Sequence, residues 1–373
     1  MGVVRSVSGN LPSLLARISA HKKALGAVLH SGLARSHRGN PAASLRIQQI
    51  YANSVLFSGI GSLVLSDQEL NIVSQHHKET VSNLQRLLPL TPRAVIYFLA
   101  GTLPGAAFLH LRQLSIFGMI TRLPANILHS HAKNIFSCVT SSQKSWFHQI
   151  RDLCLQYDLP HPGQLLSSPP SKEVFKNSVK KQVINYWEQK LRHEAAPLTS
   201  LEFFHPSYMS LTSSHPLWRT AAASPTKVVM ATVQARFLSG RYRTEALCSH
   251  WSSNKEGLCK LSTDCQTPED TSHILKFCSA LAPTREKLMN FTTSYCCSNP
   301  VVASLVQQFC KTECRLFCQF LLDCSVLPEV IAAVQKQGED ILLHLFAITR
   351  IWVYTLHRDR LKILGRWRNF AKT

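Results

Sequence analysis

Acidic residues are scarce in this sequence of 373 residues, where 21 Asp and Glu stand against 41 Lys and Arg. The formal net charge at pH 7 is therefore +20. With 45% hydrophobic and 17% charged residues, the chain has the composition of a protein that buries a core, which excludes wholesale disorder. A strongly cationic surface attracts phosphate groups and anionic lipids. We expect nucleic acid as the partner, and a charge that serves solubility alone is the alternative.

The sequence also lacks an uninterrupted apolar run long enough to cross a membrane. Its most apolar stretch, residues 94–111, contains Gly101, Pro104 and Gly105, whereas a spanning helix needs about 20 consecutive apolar residues. No N-terminal stretch combines the basic start, apolar run and cleavage site of a secretory signal. The twelve cysteines are spread over a chain too long to need disulfide staples, which favours a reducing compartment. We expect an intracellular protein, cytoplasmic or nuclear or both, without a transmembrane segment.

Alternation of period two is almost missing, whereas apolar residues recur at helical spacing. Leu11, Leu14, Leu15 and Ile18 share one face of a first predicted helix. Further helices are predicted over residues 41–56, 66–87 and 103–120, the second of these beginning with the Ser-x-x-Glu spacing of a capping box at Ser66. Residues 94–99 fit a helix or a strand. The pattern predicts an all-α fold.

A proline-rich stretch divides the chain. Residues 159–171 read Leu-Pro-His-Pro-Gly-Gln-Leu-Leu-Ser-Ser-Pro-Pro-Ser, and prolines remove backbone donors and disfavour helix at the preceding residue. We expect a linker there, between a helical domain over 1–158 and a mostly helical domain over 172–373. In the second domain we predict helices from 172 to before Pro197, over 226–240 and over 338–370, with an irregular stretch between 197 and 225.

The positive charge is concentrated in the first domain. Residues 1–150 contain fourteen Lys and Arg but three acidic residues, a net charge of +11. In the first helix the cations fall between the apolar positions, so one face is apolar and the other basic. The candidate phosphate-binding residues are the cations Arg17, Lys22, Lys23, Arg35, Arg38 and Arg46. Such contacts give affinity without reading sequence, and an ordinary solvated helix face is the alternative.

The second domain contains a candidate metal site. Three cysteines and one histidine follow the spacing Cys-x5-Cys-x7-His-x4-Cys at Cys259, Cys265, His273 and Cys278. Three thiolates and one imidazole form the closed tetrahedral shell of a structural zinc site, and the last gap lets one helical turn present both ligands. The first gap is wider than the usual two to four residues. Cys248 and His250 are spare donors that could replace either of the first two cysteines, and free, partly buried cysteines are the alternative to a zinc site.

Cations and aromatic rings are mixed just before the metal ligands. The candidates for nucleic-acid binding in this segment are Arg236, Arg241, Tyr242, Arg243 and Trp251. Aromatic rings among arginines suit single-stranded RNA, because its unstacked bases expose faces on which they stack. A core role for the tyrosine and the tryptophan is the alternative. Farther along, Cys310, Cys314 and Cys318 recur every four residues, which predicts small apolar fillers on one helix face, with a thiolate metal site as the alternative.

Two separated segments resemble parts of one protein family. Residues 54–59, 92–104 (Pro-Arg-Ala-Val-Ile-Tyr-Phe-Leu-Ala-Gly-Thr-Leu-Pro) and 109–115 resemble the thumb of non-LTR retrotransposon reverse transcriptases. Residues 236–251 and the Cys/His quartet resemble the C-terminal cysteine-histidine segment of the same polyproteins, in the same order. The resemblance covers most of residues 10–290. It implies a thumb-like helical domain that contacts an RNA or RNA/DNA template-primer duplex, followed by a zinc-knuckle-like loop within residues 236–280.

The residues that such a family uses for polymerisation are missing. Its palm carries paired aspartates that hold two metal ions, but this sequence contains no Asp-Asp pair. The resemblance therefore implies a nucleic-acid-binding C-terminal portion that is not an enzyme as it stands, with a palm that is lost or separately encoded. Two alternatives are a zinc-stabilised interaction module without nucleic-acid binding and a decayed retroelement product without function.

Overall fold

The computed structural model describes residues 9–30, 39–124, 127–138, 145–221, 224–250, 256–295 and 299–366. Within these ranges the chain is helical and forms no strand, which confirms the all-α prediction. The first half consists of α1 (Leu11–His30), α2 (Pro41–Ile47), α3 (Asn53–Leu56), α4 (Asp67–Leu84), α5 (Arg93–Ala100), α6 (Gly105–Thr121), α7 (Ile127–Cys138) and α8 (Trp146–Gln156). A π-helical turn, Gln48–Ala52, joins α2 to α3, so the predicted helix over 41–56 is present.

The second half continues with α9 (Pro162–Ser167), α10 (Lys172–Ala195), α11 (Pro216–Arg219), α12 (Pro225–Leu238), α13 (Glu245–Ser249), α14 (Ala282–Tyr295), α15 (Pro300–Cys310), α16 (Cys314–Leu322), α17 (Pro328–Gln337) and α18 (Asp340–Ile363). The predicted irregular stretch contains α11. The last helix ends earlier than residue 370, because Gly365 adopts a left-handed φ of 66°. Backbone N–H groups of Gly365 and Arg366 then donate to the carbonyls of Lys362 and Leu361, which is a Schellman C-cap.

The hydrophobic core is continuous between the two halves. Helix α10 packs on α6, and a Cβ atom at Gly118 would lie only 2.3 Å from the Phe175 ring, so glycine permits the close approach. Trp187 Nε1 on α10 donates to Tyr157 Oη at 3.0 Å, and that hydroxyl lies 2.6 Å from His110 Nδ1. The indole, the hydroxyl and the imidazole are all buried, so their polar atoms depend on these hydrogen bonds. The contacts cross the predicted boundary between the domains.

The predicted linker contains ordered structure. Within residues 159–171, α9 begins at Pro162, where a missing N–H costs nothing in the first helical turn. Its Leu165 and Leu166 side chains are buried in the same core. Pro162 therefore starts a short helix, and the segment packs onto the rest of the protein.

The cysteines of the tail are divided between two helices. Cys310 ends α15 and Cys314 begins α16, so the prediction that the three tail cysteines share one helix face is wrong for Cys310. The chain turns at residues 311–313, where the N–H groups of Lys311 and Thr312 donate to carbonyls three residues earlier. Within α16 the Cys314 and Cys318 sulfurs are 3.9 Å apart, and Cys318 is buried.

Among the described helices, none is by itself long and apolar enough to span a membrane. The pair α5 and α6 reaches the required length and composition only when the two are combined, and they meet at a bend of 64°. Most of the side chains of both helices are buried in the core.

The capping box predicted at Ser66 is present and gives a first test of the fold. Ser66 Oγ accepts from the Glu69 N–H at 3.3 Å, and Glu69 Oε2 accepts from the Ser66 N–H at 2.9 Å. We expect Ser66→Ala to lower the free energy of unfolding by about 1 kcal/mol, because the Glu69 N–H in the first turn of α4 loses its side-chain acceptor. Urea unfolding measures this. Ser58→Ala, an exposed serine outside a helix cap, is the control and should change the value by less than about 0.5 kcal/mol.

Candidate metal centre and cationic surfaces

The first two cysteines of the predicted metal site are brought together by a short loop whose ends pair with each other. Leu258 and Pro268 form an isolated antiparallel bridge, and the Cys259 N–H donates to the Thr267 carbonyl at 3.0 Å. Gly257 starts the loop with a φ of 60°, and a Cβ atom there would lie 2.8 Å from Ala246 Cα. A residue with a side chain would therefore clash with α13 and strain the backbone. The closed loop holds Cys259 and Cys265 near each other.

The other two ligands lie at the ends of one π-helical turn, His273–Phe277. Asp270 Oδ1 accepts from the His273 N–H at 2.6 Å and starts the turn, and the Cys278 N–H donates to the His273 carbonyl at 2.7 Å. A π-helical bond links residues five apart, which is the separation of the histidine and the last cysteine. The prediction that one helical turn presents both ligands is confirmed.

Together the loop and the turn make a compact cluster of four donor atoms. The ligand atoms of Cys259, Cys265, His273 and Cys278 all lie within 4.8 Å of one another. The Cys259 and Cys278 sulfurs are 3.9 Å apart, and Cys265 Sγ is 3.2 Å from His273 Nε2. In a tetrahedral site with metal–sulfur bonds of about 2.3 Å, two sulfurs are about 3.8 Å apart. The cluster can therefore hold a metal ion.

The orientation of the imidazole is set by a neighbouring hydroxyl. Thr267 Oγ1 lies 3.1 Å from His273 Nδ1, while the Nε2 atom is directed toward the cysteines. A metal-binding histidine usually donates its other N–H to an oxygen, which selects the tautomer. Thr267 supplies that oxygen, so Nε2 is the nitrogen available to a metal.

Burial sets the direction of the pKa shift at three of the four donors. It raises the pKa of Cys259 to about 12 and also raises the pKa of Cys278, so both are thiols in the absence of a cation. Burial also acts to raise the pKa of Cys265, but hydrogen bonds, the first of them with Thr267, outweigh it and leave that pKa below its usual value. Burial lowers the pKa of His273 and favours the neutral imidazole that ligates metals. A bound cation would stabilise the two buried thiolates.

The spare donors lie outside this cluster. Cys248 is on α13 and His250 directly follows that helix, and neither belongs to a group of metal-competent donors among the residues that the structure describes. The suggestion that they replace Cys259 or Cys265 is therefore not supported by the geometry. The wide first gap of five residues is accommodated because the loop closes on itself.

A buried ion pair fastens the metal loop to the last helix. Glu269 has no exposed surface, and it accepts from Arg360 Nε on α18 at 3.2 Å and from the Glu245 N–H at 2.9 Å. The Arg360 guanidinium also lies 5.5 Å from the centre of the Tyr242 ring. Sequence reasoning missed this pair, because its members are 91 residues apart and carry no local pattern.

Two of the predicted nucleic-acid-binding residues before the metal loop are turned inward. The Tyr242 ring is buried and stacks on Phe237 with centroids 3.6 Å apart, so it is a core residue and not a platform for bases. Arg236 Nε donates to the Arg86 carbonyl at 3.3 Å, and burial lowers the pKa of Arg236. Its guanidinium therefore bonds inside the protein rather than forming an open phosphate contact. Arg241 is half-buried and Arg243 is exposed.

The remaining predicted cations differ in exposure. Lys22 and Lys23 on α1 and Arg46 on α2 are exposed, whereas Arg17 is half-buried. Helix α1 packs against the segment 48–56 that follows α2, so these helices belong to one part of the fold. Arg35, Arg38 and Trp251 lie outside the described residues.

A row of lysines on α10 was missed by the sequence reasoning. Lys172, Lys176 and Lys180 are spaced by four residues and therefore share one face of the helix, and Lys181 follows. All four are exposed and form no ion pair within the part of the chain that the structure describes. The row flanks the buried stripe that includes Phe175 and Val179, and recognising that spacing would have revealed it.

No protein-family model, curated protein or solved structure matches the chain.

Proposed function

We propose that this chain binds RNA or an RNA/DNA template-primer through cationic helical surfaces, and that a zinc ion in the Cys/His cluster stabilises its second half. The observation that carries the proposal is the row of exposed, unpaired lysines on α10 in a chain of net charge +20. Unpaired cations cost the fold stability by mutual repulsion, and a polyanion relieves that cost by releasing counterions as it binds. The resemblance to the thumb and cysteine-histidine segments of non-LTR retrotransposon reverse transcriptases supports the same partner.

Zinc is the metal that best suits the donor set. Three cysteine sulfurs and one imidazole nitrogen at tetrahedral separations match closed structural zinc sites, and hard cations such as Ca²⁺ and Mg²⁺ prefer oxygen ligands. Because all four positions are occupied by protein atoms, such a zinc ion has no open position for substrate and its role is structural. Thiolate ligands must stay reduced, which suits an intracellular protein.

We assign no polymerisation chemistry to this chain. It contains no Asp-Asp pair, and its buried Glu269 is engaged by Arg360 rather than open to a metal ion. In this proposal the α10 lysines contact phosphates and determine affinity, while extension of the template-primer would require a palm that this chain lacks, because that palm is either encoded elsewhere or lost.

Replacement of two lysines of the row tests the proposal. Lys176→Gln with Lys180→Gln is expected to weaken binding of a hairpin RNA and to lower the slope of log affinity against log salt by about two, one for each lost phosphate contact. Both side chains are exposed, so the fold should be unchanged. Fluorescence anisotropy at several salt concentrations measures the slope.

The matched control removes the same charge from other helices. Lys311→Gln with Lys336→Gln replaces two exposed lysines at α15 and α17 and should leave the slope nearly unchanged. An equal decrease of the salt slope in both double variants would show that binding depends on the net charge of the chain and not on the lysine row of α10. Absence of binding at low salt, in a folded protein that contains zinc, would refute the proposal and favour an interaction module without nucleic acid.

A further inference from the structure

The charge of the Cys/His cluster depends on whether it holds a zinc ion. Without metal, Cys259 and Cys278 are thiols and His273 is a neutral imidazole. Zinc binding displaces the thiol protons and leaves three thiolates around a divalent ion, so the loaded cluster carries one net negative charge. Three of the four ligands are buried, and a buried charge needs a nearby charge of opposite sign.

Backbone groups already contact two of the sulfurs. Leu261 forms a backbone hydrogen bond with Cys259, and Ala280 forms one with Cys278. Such bonds stabilise a thiolate, but a peptide group has no net charge. The negative charge of a loaded cluster would therefore still lack a counter-charge.

Three cations of the surrounding segments are engaged elsewhere. Lys260 forms an ion pair with Glu245 at 2.7 Å, and Arg360 forms one with Glu269. Lys276 donates to a backbone carbonyl in the turn after α15 at 2.7 Å. Each of these side chains already has a partner away from the cluster.

Arg285 lies beside the cluster without a carboxylate partner. It is in the first turn of α14, and its Nη2 atom donates to the Cys278 carbonyl. Its Nη1 atom is buried and has no hydrogen-bond partner in the part of the chain that the structure describes. Burial lowers the pKa of Arg285, whereas a thiolate at Cys278 acts to raise it, so the two groups lie within electrostatic range of each other.

The position of Arg285 is unfavourable in the protein without metal. A cation in the first turn of a helix opposes the helix dipole, and a buried N–H group without an acceptor has lost its hydrogen bond to water. A negative charge on the cluster beside it would offset both costs. The chain thus places an unpaired positive charge where zinc binding would create a negative one.

We infer that Arg285 is the counter-charge of the zinc-loaded cluster and strengthens zinc binding through its contact with Cys278. The inference rests on the zinc site of the proposed function and adds to it a residue that is not a ligand. Arg285 is a positioning residue, because it acts on the ion only through the cysteine that it contacts.

The test is the zinc affinity of the full chain, measured by competition with a chromophoric chelator. Arg285→Gln should weaken zinc binding by about tenfold to a hundredfold, the usual effect of removing the partner of a metal ligand. Arg285→Lys keeps the charge but loses the planar fork, so its affinity should lie between those of Arg285→Gln and the wild type. The control is Arg315→Gln, which removes an exposed arginine from α16, a helix that packs on the π-helical turn, and should bind zinc like the wild type.

Two further measurements separate a counter-charge from a residue that only packs. In excess chelator, Arg285→Gln should unfold at the same urea concentration as the wild type or at a higher one, whereas with zinc it should unfold at a lower one. With Co²⁺ as the probe metal, the variant should show its thiolate-to-metal charge-transfer band at longer wavelength, because the thiolate electrons are held less tightly without the neighbouring cation.

Unchanged zinc affinity in Arg285→Gln overturns the inference and leaves the proposed zinc site standing. Equal weakening in Arg285→Gln and Arg285→Lys also overturns it, because the charge would then not be the cause. The same holds for an equal loss of stability with and without metal, which indicates a packing role. Wild-type protein that binds no zinc overturns the zinc site of the proposed function, and the inference with it.

Discussion

The purified protein is expected to contain one zinc ion per chain, and Cys265→Ser is expected to lose it. Serine is a poor ligand for zinc in place of a thiolate, and Cys265 is only half-buried, so the substitution removes little packing. At free zinc a thousand times above the dissociation constant, binding adds about 4 kcal/mol to the free energy of unfolding, and this stabilisation should disappear with the ligand or with a chelator. Elemental analysis and thermal unfolding measure both effects.

Cys248→Ser is the matched control, because this cysteine lies on α13 outside the cluster. It should retain zinc and the chelator-sensitive thermal midpoint. Loss of zinc from Cys248→Ser together with retention in Cys265→Ser would show that the ligand set is different. Wild-type protein that is free of metal and indifferent to chelators would show that the four residues are ordinary buried side chains.

Glu269→Gln is expected to lower the free energy of unfolding by about 3 to 5 kcal/mol. The glutamine keeps the size of the side chain but leaves the Arg360 guanidinium buried without a counter-charge, and removal of one partner of a buried ion pair has a cost of this order. Part of the loss comes from the Glu245 N–H, which forms its hydrogen bond with the same carboxylate. Urea unfolding followed by circular dichroism gives the value.

An exposed ion pair provides the comparison for that prediction. Arg219 and Glu339 are 3.4 Å apart, with 42% and 72% of their side chains exposed. Water already solvates both charges, so Glu339→Gln should cost less than about 1 kcal/mol. If the two substitutions have equal effects, the Glu269 contact contributes nothing through its burial and does not fasten the metal loop to α18.

The helices and the metal ligands were predictable because their signals are local. Helical spacing of apolar residues located the longer helices, and the Ser66 capping box located the start of α4, since these interactions join residues three or four apart. The same holds for His273 and Cys278, which one turn connects. Residues 94–99 were ambiguous because a short apolar segment that is buried on all sides shows no periodicity, and the structure makes them part of α5.

The contact partners of the charged and aromatic side chains could not be predicted from local sequence signals. Arg236 and Tyr242 look like a nucleic-acid-binding pair in sequence, but the Arg86 carbonyl in the turn after α4 and His357 on α18 engage them from distant parts of the chain. Nothing near Glu269 indicates that its partner is Arg360. Such contacts depend on which helices pack together, and that depends on the whole core. The exposed lysines of α10 are different, because their spacing of four residues is a local signal that the sequence contains, and the packing of Phe175 against α6 shows that another side of the helix is buried.

The contact between Tyr157 and Trp187 bears on how the protein can be produced in pieces. A fragment that stops after residue 158 keeps the tyrosine but loses the indole on α10 that bonds to it, together with the Phe175 ring that covers Gly118. Its newly bared apolar surface would favour self-association over folding. Expression of either half alone is therefore a poor route to a soluble sample, and shorter versions are better made by trimming the ends of the intact chain.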